Sequence, residues 1–239
     1  MITRTKTNFK VDYHTHILPF MDDGAPDVEA SLKMLGMLAE QGIERVAATS
    51  HFDPKNETVS EFISRRDKSY ELLCSNCDTG YLPEIVLSAE VYCTPGISSA
   101  DLSPLCYKGT NYLLFELPRL PFGEWMVTEL EVIAYKQKLV PVIAHLDRYM
   151  EWYSPKDIRK LLSFDDAVIQ INNHAFSKKD VRHAVCDIIK NGYRVVIGSD
   201  AHDTEKRRPN FDMVEKQLSR IGYKTVSKLL CDSISTVVI

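Results

Sequence analysis

The sequence of 239 residues has no long hydrophobic run, and no segment approaches the roughly 18 apolar residues that a membrane-spanning helix needs. The first six residues are polar and lack the apolar centre of a secretory signal peptide. The net charge of −4 is spread without a basic stripe, which argues against nucleic acid as the main partner. We therefore expect a soluble cytoplasmic protein that neither inserts into a membrane nor binds nucleic acid.

The six cysteines do not fit a cysteine-dependent phosphatase, which needs an arginine six residues after its nucleophile. The residues at that distance are, in chain order, Gly80, Pro83, Ser99, Tyr112, Gly192 and Val237. Cys74 and Cys77 form a CxxC pair, but no second pair follows at the spacing of a zinc site. A cysteine-based mechanism is therefore not expected, and a zinc or redox role for this pair is a minor alternative.

Glycine-rich phosphate loops are also absent, although strand and helix patterns alternate from end to end. Strands are predicted at 11–14, 46–49, 85–89, 112–116, 140–144, 168–171 and 194–198. Helices are predicted at 27–41, 58–73, 124–138 and 209–221, the last of them ended by Gly222. Two further helices are predicted to begin after N-caps at Ser154 and Ser177, and the second of these ends at Gly192. This alternation predicts one α/β domain over residues 1–239, with a parallel sheet that is open or closed into a barrel.

Histidines and carboxylates follow the predicted strands at the points where those strands end. These residues are His14, His16, His51, Glu90, Glu116, His145, Asp200 and His202. Because α/β folds place functional residues at the carboxyl ends of parallel strands, these side chains can converge on one cavity. In an extended segment, residues two apart face the same side, so His14 and His16 can reach one ion. Histidine together with carboxylate predicts a metal cluster.

Each of these residues, taken alone, is also compatible with a purely structural role. Glu90 and Glu116 could form buried ion pairs or mark the points where strands reach the surface. His51 and His145 could be hydrogen-bonded core histidines. Residues 22–24, Asp-Asp-Gly, are either a turn or a segment that returns a carboxylate to the cluster. The shared position at strand ends favours the metal interpretation for the set as a whole.

The order of these motifs resembles the polymerase and histidinol phosphatase (PHP) superfamily over nearly the whole chain. The motifs are VDYHTHILP at 11–19, MDDG at 21–24, TSH at 49–51, SAE at 88–90, FE at 115–116, AHLDRY at 144–149, QIN at 170–172 and SDAH at 199–202. Within the superfamily, the chain is most similar to the bacterial capsule and exopolysaccharide tyrosine phosphatases. The resemblance implies a distorted, TIM-like (β/α)7 barrel that holds up to three divalent ions, with manganese expected and iron or zinc as alternatives.

The resemblance also implies a role for individual residues. One ion would be bound by His14, His16, Glu90 and Asp200, a second by Glu90 as a bridge with Glu116 and His145, and a third by Asp23, His51 and His202. Arg148 and Arg208 would bind phosphate. His202, His174 and a metal-bound water are open alternatives for the general acid, whereas His183 lies within a helical pattern and is expected at the surface.

The expected activity is hydrolysis of phosphotyrosine by a metal-bridging hydroxide, because two ions acidify the water between them. By resemblance, the substrate is the tail of a membrane-associated bacterial tyrosine kinase that controls polysaccharide export. A small-molecule phosphatase, such as one for histidinol phosphate, is an alternative with the same metal chemistry. A barrel that only binds or regulates a partner is a second alternative, since a fold does not prove activity.

Overall fold

The computed structural model of the protein describes residues 8–77, 82–164, 167–220, 228–230 and 237–239. Within these ranges the strands are β1 Val11–Thr15, β2 Arg45–Ala48, β3 His51–Phe52, β4 Glu84–Leu87, β5 Glu90–Tyr92, β6 Tyr112–Glu116, β7 Val140–Ile143, β8 Val168–Asn172 and β9 Arg194–Gly198. The helices are α1 Val28–Glu40, α2 Val59–Ser75, α3 Glu124–Lys136, α4 Leu146–Tyr149, α5 Pro155–Leu162, α6 Lys179–Lys190 and α7 Phe211–Arg220. Short 3-10 helices lie in the connections.

Two of the predicted strands are each followed, after a break of two residues, by a short second strand. All strand pairs are parallel, in the orders β1-β2-β4 and β3-β5-β6-β7-β8-β9. The amide of Ser88 donates to the carbonyl of Ala48 at 3.0 Å, and the amide of Glu90 donates to the carbonyl of Ser50 at 3.0 Å. Backbone pairing therefore continues across the breaks, so β2 with β3, and β4 with β5, act as single strands of a seven-stranded sheet.

The first and last strands meet, which closes the sheet into the expected distorted (β/α)7 barrel. Thr15 and Ala201 form a parallel bridge, and the amide of Asp200 donates to the carbonyl of His14 at 2.7 Å. This contact has a single bridge pair, whereas the other ladders have at least two pairs each. The interior contains a buried side chain from each of the seven strands: Tyr13, Ala47, Val86, Leu114, Val142, Val168 and Val196.

Helices cover the outside of the barrel, and their ends follow local sequence chemistry. Asp27 caps α1 by accepting from the amide of Ala30 at 2.8 Å, and Ser154 caps α5 in a capping box with proline at the first helical position. The predicted cap at Ser177 is wrong, because its hydroxyl donates to the carbonyl of His174 within a 3-10 turn and α6 begins later. The predicted end of the last helix, at 221–222, lies outside the described residues.

The carboxyl-terminal residues close the end of the barrel where the strands begin. Val237 and Ile239 belong to the interior cluster. The hydroxyl of Tyr13 donates to the carbonyl of Val237 at 2.5 Å, and Arg45, the first residue of β2, donates to the carbonyl of Ile239. The opposite end, where the strands finish, is therefore the end that is left for a site.

Candidate metal centre

Glu90 lies at the centre of the cluster at the carboxyl end of the barrel, and it is only 1% exposed. One carboxylate oxygen, Oε2, lies 3.2 Å from His14 Nε2, 3.3 Å from His16 Nε2 and 3.0 Å from His51 Nδ1. The other, Oε1, lies 2.9 Å from His145 Nε2. One carboxylate therefore joins imidazoles from three other strands of the barrel.

Asp200 and Glu116 flank this centre on two sides. Asp200 Oδ1 lies 3.7 Å from His14 Nε2 and 3.6 Å from His16 Nε2. Glu116 Oε1 lies 3.5 Å from His145 Nε2. The predicted ligands on or next to β1, β5, β6, β7 and β9 are thus brought together, as the sequence predicted.

The remaining predicted ligands form the outer rim of the cluster. Asp23 is the most exposed member, and its Oδ1 lies 3.4 Å from both His51 Nε2 and His202 Nε2. The rings of His16 and His202 are 3.8 Å apart, so the rim is continuous with the centre. All nine residues predicted as metal ligands therefore lie in one cluster.

Charge complementarity holds this cluster together. Burial disfavours ionised Glu90 and Asp200, but the neighbouring histidines more than offset it and hold the pKa of both carboxyls below their usual range. Burial also lowers the pKa of His16, yet Asp22 and Glu90 outweigh that effect and raise it to about 10. At neutral pH, His16 of the metal-free protein thus holds a proton where a cation would otherwise sit, whereas burial lowers the pKa of His202 to about 3 and keeps that ring neutral.

Several buried polar atoms of the cluster lack hydrogen-bond partners in the part of the chain that the structure describes. They are Glu90 Oε2, His145 Nδ1 and His202 Nε2. Three overlapping groups place one ligand atom per residue within 4.8 Å of one another: His14, His16 and Asp200; His51, Glu90 and Glu116; and His16, Asp23, His51 and His202. Imidazole nitrogens and carboxylate oxygens are the ligand atoms that divalent transition metals accept, so these three groups of residues fit a multi-ion centre.

Gln170 on β8 organises the cluster without being a candidate ligand. Its Oε1 lies 3.0 Å from His14 Nδ1 and accepts from the backbone amide of His145 at 2.7 Å. Its Nε2 donates to Asn172 Oδ1 at 2.9 Å, and Asn172 Nδ2 donates to Asp200 Oδ2 at 3.0 Å. With Nδ1 of His14 as the donor to Gln170, the lone pair of His14 is on Nε2, which faces the centre.

Asp22 has the same orienting role for His16, and it was not singled out from the sequence. Asp22 Oδ2 lies 2.9 Å from His16 Nδ1 and also accepts from the amide of His51 at 2.9 Å. The amide of Gly24 donates to Asp22 Oδ1 at 3.0 Å. The Asp-Asp-Gly segment is therefore both a turn and part of the cluster, with Asp22 directed inward and Asp23 at the rim.

Two glycines allow the backbone to approach the histidines. A Cβ atom on Gly198 would lie 2.5 Å from the Cβ of His14 and 2.8 Å from Gln170 Nε2. A Cβ atom on Gly24 would lie 2.3 Å from the carbonyl oxygen of His16. Any larger residue at either position must displace a candidate ligand or its support.

His145 and Asp200 adopt left-handed backbone conformations, with φ values of 31° and 52°. A left-handed conformation costs a residue other than glycine roughly 1–3 kcal/mol, and such conformations are common at functional sites. His145 lies two residues after the end of β7, and Asp200 lies two residues after the end of β9. At these positions the left-handed conformation changes the direction of the side chain. The backbone strain therefore occurs at two of the candidate ligands.

Two arginines lie next to the cluster. Arg148, in α4, donates to Asp200 Oδ2. Arg207 Nη2 donates to Asp200 Oδ1 at 3.2 Å, and Arg207 Nη1 lies 3.5 Å from Asp23 Oδ2. Arg208, predicted to bind phosphate, lines a cavity beside Asp200, and the structure records no ion pair between it and the described residues of the cluster. Arg207 is the arginine that the sequence did not select.

The cysteines within the described ranges and the two remaining histidines lie outside the candidate ligand groups. Cys93 and Cys106 are buried, and burial raises the pKa of Cys106 to about 12, which keeps it a thiol. His183 is exposed on α6, as predicted. His174 lines cavities on both sides of Arg148, and burial lowers its pKa.

The fold and the cluster define a parallel α/β barrel with a histidine and carboxylate centre at the carboxyl end of its strands. A family model described as "Capsular polysaccharide synthesis, CpsB/CapC" matches residues 10–238. The chain belongs to this CpsB/CapC family.

Alignments with named relatives cover most of the chain. The tyrosine-protein phosphatase YwqE of Bacillus subtilis (strain 168) is 28% identical over 208 residues, covering 82% of this chain and 79% of its own. The tyrosine-protein phosphatase CpsB of Streptococcus pneumoniae is 25% identical over 246 residues, covering 93% and 96%.

The same fold is found in one of the crystal structures of YwqE from Bacillus subtilis and CpsB from Streptococcus pneumoniae. Those two proteins are described as metal-dependent tyrosine phosphatases. That structure matches with a TM-score of 0.73 at 22% identity, covering 93% of this chain and 91% of that chain. Within the described ranges, no helix is both long enough and apolar enough to cross a membrane.

Proposed function

We propose that the protein is a metal-dependent phosphatase that hydrolyses phosphotyrosine on proteins. The observation that carries this proposal is the cluster of five histidines and four carboxylates at the mouth of the barrel, with the buried carboxylate of Glu90 at its centre. Membership of the CpsB/CapC family and similarity to two tyrosine-protein phosphatases support the same activity. We also propose that residues 1–239 form a single domain, because β1 to α7 alternate around one barrel.

The ligand groups follow from which atoms lie together. We assign His14, His16 and Asp200 with Glu90 to one ion, Glu90 with Glu116 and His145 to a second, and Asp23, His51 and His202 to a third. His51 also lies 3.0 Å from Glu90, so it connects the second and third groups. Manganese is the expected metal, with iron and zinc as alternatives, because histidine and carboxylate ligands suit all three.

The charge of the loaded cluster suits a phosphate monoester. Three divalent ions give +6 and the four carboxylates give −4, which leaves about +2 around a phosphate dianion. Bound divalent ions supply positive charge and a water acidified enough to attack phosphorus near neutral pH.

The chain's own residues bind and orient the substrate. Arg148 and Arg207 lie beside Asp200, where their guanidinium groups can bind two phosphate oxygens and stabilise the negative charge of the transition state. The predicted phosphate contact of Arg208 stays a prediction.

We assign His202 as a metal ligand and not as the general acid. Its Nδ1 lies 3.0 Å from the carbonyl oxygen of Asp200, and its Nε2 faces Asp23. A tyrosine leaving group, with a pKa of about 10, needs less protonation than an alkoxide. The remaining candidates for proton transfer are His174 and water.

The substrate that fits the family is a phosphorylated protein of capsular polysaccharide synthesis. We propose the tyrosine-rich tail of a membrane-associated tyrosine kinase, which places the phosphatase in the cytoplasm. This choice rests on the family description and on the resemblance to capsule and exopolysaccharide phosphatases.

A substrate comparison tests this function. The manganese-loaded protein is incubated with a phosphotyrosine peptide, the matching phosphoserine peptide and histidinol phosphate, and phosphate release is measured. The expected order has the phosphotyrosine peptide first. A preference for histidinol phosphate would overturn the substrate assignment, and no release from any of the three would support a barrel without catalysis.

A further inference from the structure

A cavity of about 420 Å³ opens directly beside the cluster. Its wall includes Asp200 together with Arg148 and Arg207, the two arginines that contact that carboxylate. Lys206 and Arg208 also line the cavity. Its volume lies within the range of about 300–1,000 Å³ that is typical of ligand sites. A group bound here would be next to a phosphate held at the cluster.

The wall of this cavity carries excess positive charge. Four cations, Arg148, Lys206, Arg207 and Arg208, face two acids, Asp200 and Glu205, a balance of +2 before any ion is bound. Arg148 and Arg207 pair with Asp200, but among the described residues neither Lys206 nor Arg208 forms an ion pair. These two cations of the cavity wall therefore remain available to an anion other than the phosphate.

The cavity on the other side of Arg148 differs in this respect. It has a volume of about 220 Å³, and its wall includes Arg119, Glu151, Trp152 and Lys178. Lys178 pairs with Glu151 at 2.6 Å, and the guanidinium of Arg119 lies over the ring of Trp152 at 4.7 Å. The cations there already have partners, so the unpaired positive charge is on one side of the cluster.

We propose that the larger cavity binds an acidic side chain that lies close in sequence to the phosphotyrosine, with Lys206 and Arg208 as its partners. Arg208 would then bind this side chain in place of the phosphate contact predicted from the sequence. This inference rests on the proposed function and deepens it, because it specifies the substrate class as acidic phosphotyrosine segments. An extended peptide advances about 3.3 Å per residue, so glutamates within about three positions of the phosphotyrosine are in reach. An ion pair at such an exposed site contributes a few-fold in affinity and is screened by salt.

The test compares two phosphotyrosine peptides that differ only in having glutamate or glutamine at the flanking positions. Free phosphotyrosine serves as a third substrate. The measured quantity is kcat/KM of the manganese-loaded protein at low and high salt. We expect a preference for the glutamate peptide of about 3–10-fold at low salt, and a smaller preference at high salt.

Two variants and a control assign the preference to the cavity. Lys206→Gln should reduce the preference by about 2–5-fold, and Lys206→Glu should favour the glutamine peptide, while free phosphotyrosine is hydrolysed at the wild-type rate. Lys136→Gln is the control, because Lys136 is exposed in the last turn of α3, at the opposite end of the barrel. It should leave the preference unchanged.

The outcomes separate this inference from the proposed function. Equal kcat/KM for the two peptides, with free phosphotyrosine still hydrolysed, would overturn the acidic site alone. An equal loss on all three substrates in Lys206→Gln would also overturn it, because Lys206 would then act on the phosphate. No hydrolysis of any substrate by the wild-type protein would instead refute the proposed function.

Discussion

Replacing Gln170 by leucine is expected to weaken both folding and metal binding. The glutamine is fully buried on β8, and leucine has a similar volume but no polar atoms. Its loss leaves the amide of His145 and the Nδ1 of His14 without their acceptor. An unsatisfied buried donor costs about 1–3 kcal/mol, so the two together should lower the free energy of unfolding by about 2–6 kcal/mol.

The same substitution releases His14 from the tautomer and ring orientation that direct Nε2 to the centre. Loss of such an outer hydrogen bond lowers metal affinity by about 10–100-fold. The assay has two parts. Urea unfolding with a chelator present gives the stability of the metal-free protein. Competition with a chromogenic chelator gives the affinity for Mn²⁺.

Gln41→Leu is the matched control for this prediction. Gln41 is also buried, and it accepts from the amide of Phe211 at 2.6 Å while donating to the carbonyls of Met37 and Pro209. Its replacement should lower stability by about 1–3 kcal/mol and leave Mn²⁺ affinity unchanged. If Gln170→Leu bound Mn²⁺ as tightly as the wild-type protein, the orienting role of Gln170 would be refuted.

The cluster itself can be probed at its central carboxylate, at its crowded backbone and through its protons. Glu90→Gln should lower phosphatase activity by more than about 100-fold, because Glu90 would contact two ions. His183→Ala is the control and should have little effect. Equal losses in a phosphate-release assay would contradict the ligand assignment. Gly198→Ala should destabilise the metal-free protein by about 1–3 kcal/mol in urea unfolding, because the added Cβ would overlap the cluster. Gly36→Ala, which has open space around it in α1, should instead stabilise the protein by about 0.5–1 kcal/mol. The same effect at both sites would count against a crowded centre. Although burial lowers the pKa of His16, Asp22 raises it to about 10, so at pH 7 the metal-free protein carries a proton there that an ion must displace. Titration with Mn²⁺ in weak buffer should therefore release protons, and the affinity for Mn²⁺ should rise with pH. An affinity for Mn²⁺ that does not change with pH would contradict this.

Long apolar runs gave the most accurate predictions of structure. β6 and β9 have the predicted bounds, since both strands are buried on two faces and their apolar runs end at polar residues. The breaks between β2 and β3, and between β4 and β5, were not predicted. They depend on how neighbouring strands pair, which hydrophobic periodicity does not encode.

Eight of the nine candidate ligands were predictable because each one follows the end of a predicted strand, so that barrel topology brings them together, whereas Asp23 lies in the turn after β1. The residues that orient the ligands were not predictable. Gln170 and Asp22 have ordinary residue types at ordinary positions, and their roles depend on contacts with residues far away in sequence. Arg207 and Arg208 are neighbours, and the sequence could not determine which of the two faces Asp200.

Stepwise loading of the chelated protein with Mn²⁺ tests the central claim most directly. Bound metal and phosphotyrosine hydrolysis are measured on the same samples. Activity should be absent without metal, should rise with bound Mn²⁺, and should reach its plateau at no more than about three ions per chain. Full hydrolysis by the metal-free protein, or saturation with metal and no hydrolysis, would contradict the claim that the strand-end cluster is the catalytic centre.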